Sequence, residues 1–449
     1  MTDILIKNGF VCLNKKIEPC DVLIADRKIA AIGTDMPQID NVIDAARSYV
    51  LPGFMDIHTH MADRIGNYEL ADSYASATKL AVQNGIATIY NFITQSPAET
   101  LAAAIEKAQC KAMGNTYCNV GWHLTPTTFN DAAWNEIDDW IAQGFKTFKF
   151  YTTYKDAGLY CTYDQIKHIA KRLKQFNITL LVHCEDEYIL EQSVPQLDRT
   201  NPFSHTRMRP PSAEWTAIEQ IIRIASETGV KIHVVHVSTA QGIERIHAAK
   251  STASITCETA PHYLYLNESR FQDESGHYYL CSPPLRSEQN QQQLLQHARN
   301  GWFDVYATDH CPFLKQHKDA NKTDIQRVPK GIAGLGALAP MIFELYKQKG
   351  YAGIIDMAQK LSANPAKIVG LYPRKGVIEV GADADVVILK DGGTKRKIVS
   401  SYSDTFEPYH DFSSTLQVEY VILDGEVVVR DGKMISGKPK GMMITKGFT

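Results

Sequence analysis

Leu51-Pro52-Gly53-Phe54-Met55-Asp56-Ile57-His58-Thr59-His60 is the stretch on which the reading of this chain turns. An apolar run meets Pro-Gly, and a short strand then ends in two histidines one residue apart. Side chains alternate across a strand, so His58 and His60 point the same way. Two imidazoles on one face at the end of a strand make half of a metal site if the rest of the chain supplies the other half.

Outward from this stretch, strand candidates fall at 54–57, 87–92, 118–124, 145–151, 178–183, 231–237, 254–258 and 304–308. Helical windows lie between most of them, at 71–83, 98–112, 163–175, 213–227 and 240–249. Eight strands alternating with helices over about 320 residues fit a (β/α)8 barrel of the TIM type, an α/β fold, with insertions. A doubly wound open sheet is the alternative, but no Gly-x-Gly-x-x-Gly follows an early strand to support a dinucleotide fold. The two ends read differently from the middle, as short strands punctuated by Asn8-Gly9, Asp26-Arg27, Asp391-Gly392, Asp424-Gly425 and Asp431-Gly432. They suggest one small β domain built from both ends, with residues 1–52 and 376–449 flanking a barrel over 53–375.

Composition narrows the function classes. The 449 residues carry a formal charge of −3, which gives no reason to expect nucleic acid or an anionic membrane as partner. Lys395-Arg396-Lys397 reads as a solvated strand edge. No apolar stretch reaches the roughly 18 residues that span a bilayer. The most apolar segment, 331–346, carries Pro340 and Glu344, and the first residues lack the layout of a signal peptide. Nine cysteines are scattered singly with no Cys-x-x-Cys pair, which points to a reducing cytoplasm rather than a disulfide framework.

A barrel places its chemistry at the C-terminal ends of its strands. His58 and His60 end strand 1 or follow it, His183 ends strand 5, His236 ends strand 6 and Asp309 follows strand 8. A lone histidine at a strand end is usually a hydrogen-bonded core residue. Four histidines and an aspartate in register at one rim read instead as a metal site. Strand 4 adds Lys149, which shares a face with Phe145, Thr147 and Tyr151. An ammonium inside a barrel beside metal cations is costly, and its pKa is driven down. The neutral amine can add carbon dioxide to form a carbamate, an anion with two oxygens able to bridge two metals. Alternatively, Lys149 pairs with a nearby acid or snorkels to the rim.

The motifs Pro52-Gly53-Phe54-Met55-Asp56-Ile57-His58-Thr59-His60, Phe148-Lys149-Phe150, Val182-His183-Cys184-Glu185, Val235-His236-Val237-Ser238 and Thr308-Asp309-His310-Cys311-Pro312-Phe313 together resemble the amidohydrolase superfamily. Within it the chain is similar to the cyclic amidohydrolases: hydantoinases, dihydropyrimidinases, allantoinases and dihydroorotases. The resemblance spans nearly the whole chain. It implies a (β/α)8 barrel plus a β-sandwich made from both ends, and a homo-oligomer, often a tetramer. It also implies two divalent metals, usually zinc, bridged by a carbamylated Lys149, with His58, His60 and Asp309 on one and His183 and His236 on the other. A bridging hydroxide would attack the cyclic amide, with Asp309 as general base and then acid.

Substrate choice is read from smaller features. Dihydroorotases usually carry an Arg two residues after the second His and an Asn after strand 2. Here Ala62 takes the first place, with Arg64 two residues further on, and Thr94 stands near the second. Tyr154 matches the tyrosine that, in hydantoinases and dihydropyrimidinases, donates to the oxyanion of the attacked carbonyl. Ser282, in Cys281-Ser282-Pro283-Pro284, matches the serine that hydrogen-bonds the cyclic amide. Lys330 stands where hydantoinases commonly have Asn, at a contact made mainly through backbone. Cys257-Glu258-Thr259-Ala260-Pro261-His262-Tyr263-Leu264 fits this branch and the allantoinases nearly as well. The expected activity is ring opening of a hydantoin, dihydropyrimidine or related small cyclic ureide. Allantoinase or dihydroorotase-like activity is the alternative, followed by a mononuclear deaminase or a non-enzymatic dihydropyrimidinase-like scaffold. The segment 61–69 should cover the pocket mouth, and it matches no branch well.

Overall fold

The computed structural model describes residues 3–97, 99–193 and 197–444. Ala98, at the head of the second helical window, and residues 1–2 and 445–449, at the two ends of the expected β domain, lie outside them.

The alternating middle forms one eight-stranded parallel sheet in sequence order. Its strands are β1 (Phe54–Thr59), β2 (Ile86–Thr94), β3 (Asn119–Thr125), β4 (Thr147–Tyr151), β5 (Thr179–His183), β6 (Lys231–Val234), β7 (Ile255–Thr259) and β8 (Val305–Tyr306). They are buried on both faces, as a parallel sheet wrapped in helices requires. The barrel closes between β8 and β1 through a parallel bridge from Thr59 to His310. Asp56 seals the same seam, accepting from the Thr308 amide at 3.1 Å, the Thr308 hydroxyl at 2.6 Å and the His58 amide at 3.2 Å.

The outer helices start where local chemistry directs. Ser73, Thr100, Asn130, Thr162, Thr239 and Ser287 each cap a helix by accepting from the backbone N–H three residues on. Each such cap contributes about 1 kcal/mol. Gly53 marks the passage from the terminal sheet into β1, because a Cβ there would lie 2.6 Å from the Cβ of Ala87. Its amide donates to the Asp385 carbonyl at 2.8 Å.

Both chain ends meet in a nine-stranded sheet. Tyr49–Pro52 pairs with Val386–Lys397 on one side and Ile4–Leu13 on the other, joining strands that are more than 300 residues apart in sequence. Strands 4–33 and 386–434 enclose a separate apolar core that includes Ile6, Val22, Val50, Val386 and Ile422. Asp26-Arg27, Asp424-Gly425 and Asp431-Gly432 are two-residue hairpin turns with positive φ at both positions. Asn8-Gly9 and Asp391-Gly392 are not turns. Both lie inside strands at register shifts, with one extra residue absorbed as a bulge at Asn8-Gly9 and three between Asp391 and Arg396. All nine cysteines are free. No helix among the described residues is long and apolar enough to cross a membrane.

Candidate active site

The strand ends bring the expected residues to one rim. His58 Nε2 lies 3.2 Å and His60 Nε2 3.5 Å from Asp309 Oδ1. His183 Nδ1 lies 2.9 Å from His236 Nε2. The rings of His58 and His236 are 5.2 Å apart, which joins the two groups. One ligand atom each from His58, His236 and Asp309 falls within 4.8 Å of the others. His236 and Asp309 both take positive φ, 39° and 48°, a backbone state seldom adopted outside glycine that turns their side chains inward where the strands end.

Two of these imidazoles are oriented from behind. Glu258, on β7, accepts from His58 Nδ1 and, at 3.1 Å, from His233 Nε2. Glu185 accepts from His183 Nε2 at 2.7 Å. In each case one ring nitrogen is committed to a carboxylate, which leaves the other to face the cluster as a lone-pair donor. Metal-binding histidines are held this way.

Lys149 lies among these groups with 1% of its surface exposed. No carboxylate or carbonyl accepts from its Nζ among the described residues, and its neighbours are the Phe92 and Tyr151 rings, each 5.1 Å from the ammonium. Burial pushes its pKa down to about 8, against the opposing pull of Glu258 and Asp309. An unpaired buried ammonium is poorly served here, whereas an anion placed between cations would be well served. Burial also lowers His60 and His236, and takes His183 down to about 4, which favours neutral imidazoles. Burial opposes ionisation of Asp309, but His58 and His60 hold its carboxyl well below the usual range. The donor set of imidazole and carboxylate oxygen, with an amine suited to carbamylation, fits divalent cations of the zinc type.

The expected substrate contacts divide. Tyr154 stands just beyond β4 with φ 67° and its ring 5.1 Å from that of His183, while Ser282 Oγ lies 3.5 Å from His205 Nε2. Burial raises its pKa to about 12. Lys330 donates its Nζ to its own loop, to the carbonyls of Ile325, of Gln326 at 3.0 Å and of Val328 at 2.6 Å. Arg64 is exposed and donates to the Asn67 carbonyl at 3.1 Å. It belongs to a hairpin, Arg64–Ile65 with Tyr68–Glu69, that follows β1 on the catalytic side. Sequence reading assigned no role to Glu258, Glu185, Phe92 or Arg209. Glu258 and Glu185 stand at strand ends, a signal that could have found them. Arg209 follows the helix Ser204–Met208 and gives no such signal.

The sequence matches the Amidohydrolase family over residues 49–428. It is 30% identical to a D-hydantoinase of Ralstonia pickettii, covering 99% of both chains. It is 29% identical to an allantoinase of Escherichia coli O1:K1 / APEC, again over 99% of both. The fold superposes on the crystal structure of a dihydropyrimidinase from Brevibacillus agri NCHU1002 with a TM-score of 0.93, at 29% identity, covering 99% of this chain and 98% of that one. With a matching family, a matching barrel and a His/Asp cluster at its rim, the chain belongs to the amidohydrolase family, and within it to the cyclic amidohydrolase enzymes.

Proposed function

We propose that the protein hydrolyses a ring amide bond of a five- or six-membered cyclic ureide, a hydantoin or dihydropyrimidine, with two divalent cations held at the barrel rim. The observation that carries this reading is the convergence of His58, His60, His183, His236 and Asp309 around a Lys149 amine that has no acceptor among the described residues. His58, His60 and Asp309 would hold one ion, and His183 and His236 the other. A carbamate on Lys149 would serve both, and zinc is the first candidate. When bound, such ions lower the pKa of a shared water and polarise the scissile carbonyl.

The chain's own residues supply the rest. Asp309, kept ionised by its histidines, takes the proton from the attacking water and passes it to the leaving nitrogen. Tyr154 stays protonated across the neutral range and donates to the oxygen of the attacked carbonyl. Ser282 binds the ring amide, a role supported by the match of Cys281-Ser282-Pro283-Pro284 to the hydantoinase segment. Hydrolysis adds a hydroxyl to the carbonyl carbon, breaks the ring C–N bond and leaves a carboxylic acid with the proton on nitrogen. Similarity to an allantoinase makes allantoin the second substrate reading. The reading extends to a cytoplasmic homotetramer, the location supported by the nine unpaired cysteines and the oligomer by the resemblance of the motifs to the cyclic amidohydrolases.

The test is a panel of hydantoins, dihydrouracil, allantoin and dihydroorotate, assayed with added zinc or manganese, beside metal analysis of protein never exposed to chelator. Ring opening of a hydantoin or dihydrouracil and close to two metals per chain are expected, and Lys149→Ala should abolish the activity. Less than one metal per chain, or a Lys149→Ala variant that turns over normally, would overturn the reading.

A further inference from the structure

Arg209 sits where two parts of the site meet. Its Nε donates to both carboxylate oxygens of Glu185 at 3.1 Å, and its Nη2 donates to Oε2 at 2.6 Å. Glu185 is fully buried and accepts from His183 Nε2 through the same oxygen. The guanidinium carbon of Arg209 lies over the Tyr154 ring, 5.0 Å from its centroid. The Tyr154 ring in turn lies against His183, so the four side chains form a closed loop: Tyr154, Arg209, Glu185, His183.

The arrangement exceeds what a buried ion pair needs. A guanidinium is planar, so it can present its edge to a carboxylate and its face to an aromatic ring at once. Tyr154 holds a left-handed backbone, which costs energy in a bulky residue and must be stabilised by its surroundings. Arg209 is itself fixed. Its carbonyl accepts from Arg286 Nη1 at 2.5 Å, Arg286 Nε donates to Ser238 Oγ at 2.9 Å, and Pro210 follows it in the chain.

We propose that Glu185 and Arg209 are positioning residues that couple the hydroxyl donor Tyr154 to the metal ligand His183. Glu185 selects the His183 tautomer that offers Nδ1 to the second ion, and Arg209 uses the same carboxylate as the anchor from which it holds the Tyr154 ring. Placement of Tyr154 and retention of the second ion then share one support. This inference rests on the proposed roles of Tyr154 and His183.

The two halves separate in the zinc-loaded enzyme. Arg209→Lys keeps a positive charge for Glu185 but has no planar face for Tyr154. It should retain the second ion against chelator within about twofold of the parent, while kcat on the best substrate of the panel falls about tenfold or more. Glu185→Gln should lose both, with resistance of the second ion to chelator falling about 10–100-fold. In a Tyr154→Phe background, Arg209→Lys should cost almost nothing further in kcat, because the group it acts through is gone. If Arg209→Lys does not fold, Arg209→Gln, which still donates to Glu185 but puts no charge over the Tyr154 ring, is read in the parent and Tyr154→Phe backgrounds in its place, with the same outcomes expected. Losses that multiply in the double variant, a parent-like kcat in Arg209→Lys, or unchanged chelator resistance in Glu185→Gln would each overturn the inference. A parent-like kcat in Tyr154→Phe alone would instead overturn the role of Tyr154 from which it starts.

Discussion

Lys149 shows what a single buried charge can report. Its Nζ faces the Phe92 and Tyr151 rings instead of an acceptor, and burial brings its pKa to about 8. Carbon dioxide adds only to the neutral amine. At that pKa roughly three quarters of the side chain is neutral at pH 8.5 but only about one thirtieth at pH 6.5. At fixed carbon dioxide pressure, metal-free protein should therefore take up a 13C-carbamate about twenty-fold faster at the higher pH, as read by NMR. A rate indifferent to pH would contradict the amine's role. Lys149 was visible in the sequence because strand alternation places it inside. Its lack of an acceptor was not, since that depends on what β1, β2, β7 and the segment after β8 bring near it. Glu258 illustrates the same limit. It stands within the motif Cys257–Leu264, yet its bond to His58 spans 200 residues and follows from no local pattern.

At the scale of elements, the segment between the two long strands of the terminal sheet reaches back across the barrel. Ser401 and Ser403 donate to the Asp72 carboxylate at 2.6 and 2.7 Å, and His310 Nε2 donates to it at 3.1 Å. His310 Nδ1 in turn accepts the Gly334 amide at 3.1 Å, so the backbone beside Asp309 is held from both sides. Asp72→Asn puts a donor among donors in a buried place and should cost about 2–3 kcal/mol. Ser401→Ala or Ser403→Ala removes one donor and should cost nearer 1 kcal/mol. Thermal unfolding checks the ranking, and an Asp72→Asn variant as stable as the serine variants would contradict it. The eight barrel strands were legible because a fully buried parallel strand is a short apolar run bounded by turn signals. The strands differ from the reading only at their ends, where pairing with a neighbour decides the boundary. Asn8-Gly9 and Asp391-Gly392 misled because the same dipeptides serve hairpin turns and bulges. Only the partner strand distinguishes the two, and Ile4–Leu13 runs straight past Asn8-Gly9 along Lys16–Ala25.

For the whole molecule, the question is what fastens the terminal sheet to the barrel. The alternating middle and β-rich ends were readable from the sequence, but the joint was not, because it pairs residues from three distant segments. Lys375 is buried there, with Nζ 2.6 Å from Asp385, 3.1 Å from Asp383 and 3.6 Å from Asp424, while Asp383 also bonds Lys28 at 2.6 Å and Arg374 at 2.8 Å. Burial acts to raise the Asp383 carboxyl, but Lys375 and Lys28 outweigh it and hold the pKa below its ordinary value. Asp424 goes the other way, raised by burial and by the charge of Asp385. In the parent, the support that Asp383 gives is present above its unfolded value and fades as pH falls through its lower folded one. Lys375→Met reverses that sign. With the ammonium gone the buried carboxylates repel one another, their folded pKa values rise above the unfolded ones, and the folded state binds protons more readily than the unfolded chain. The deficit should be about 3–5 kcal/mol near neutral pH and shrink as pH falls toward the new folded values. Thermal midpoints of parent and variant at pH 7 and pH 4.5 test this. The gap between them must narrow at the lower pH, and a gap that holds or widens would mean that the carboxylates, rather than sharing Lys375 as their counterion, are neutralised by Lys28 and Arg374.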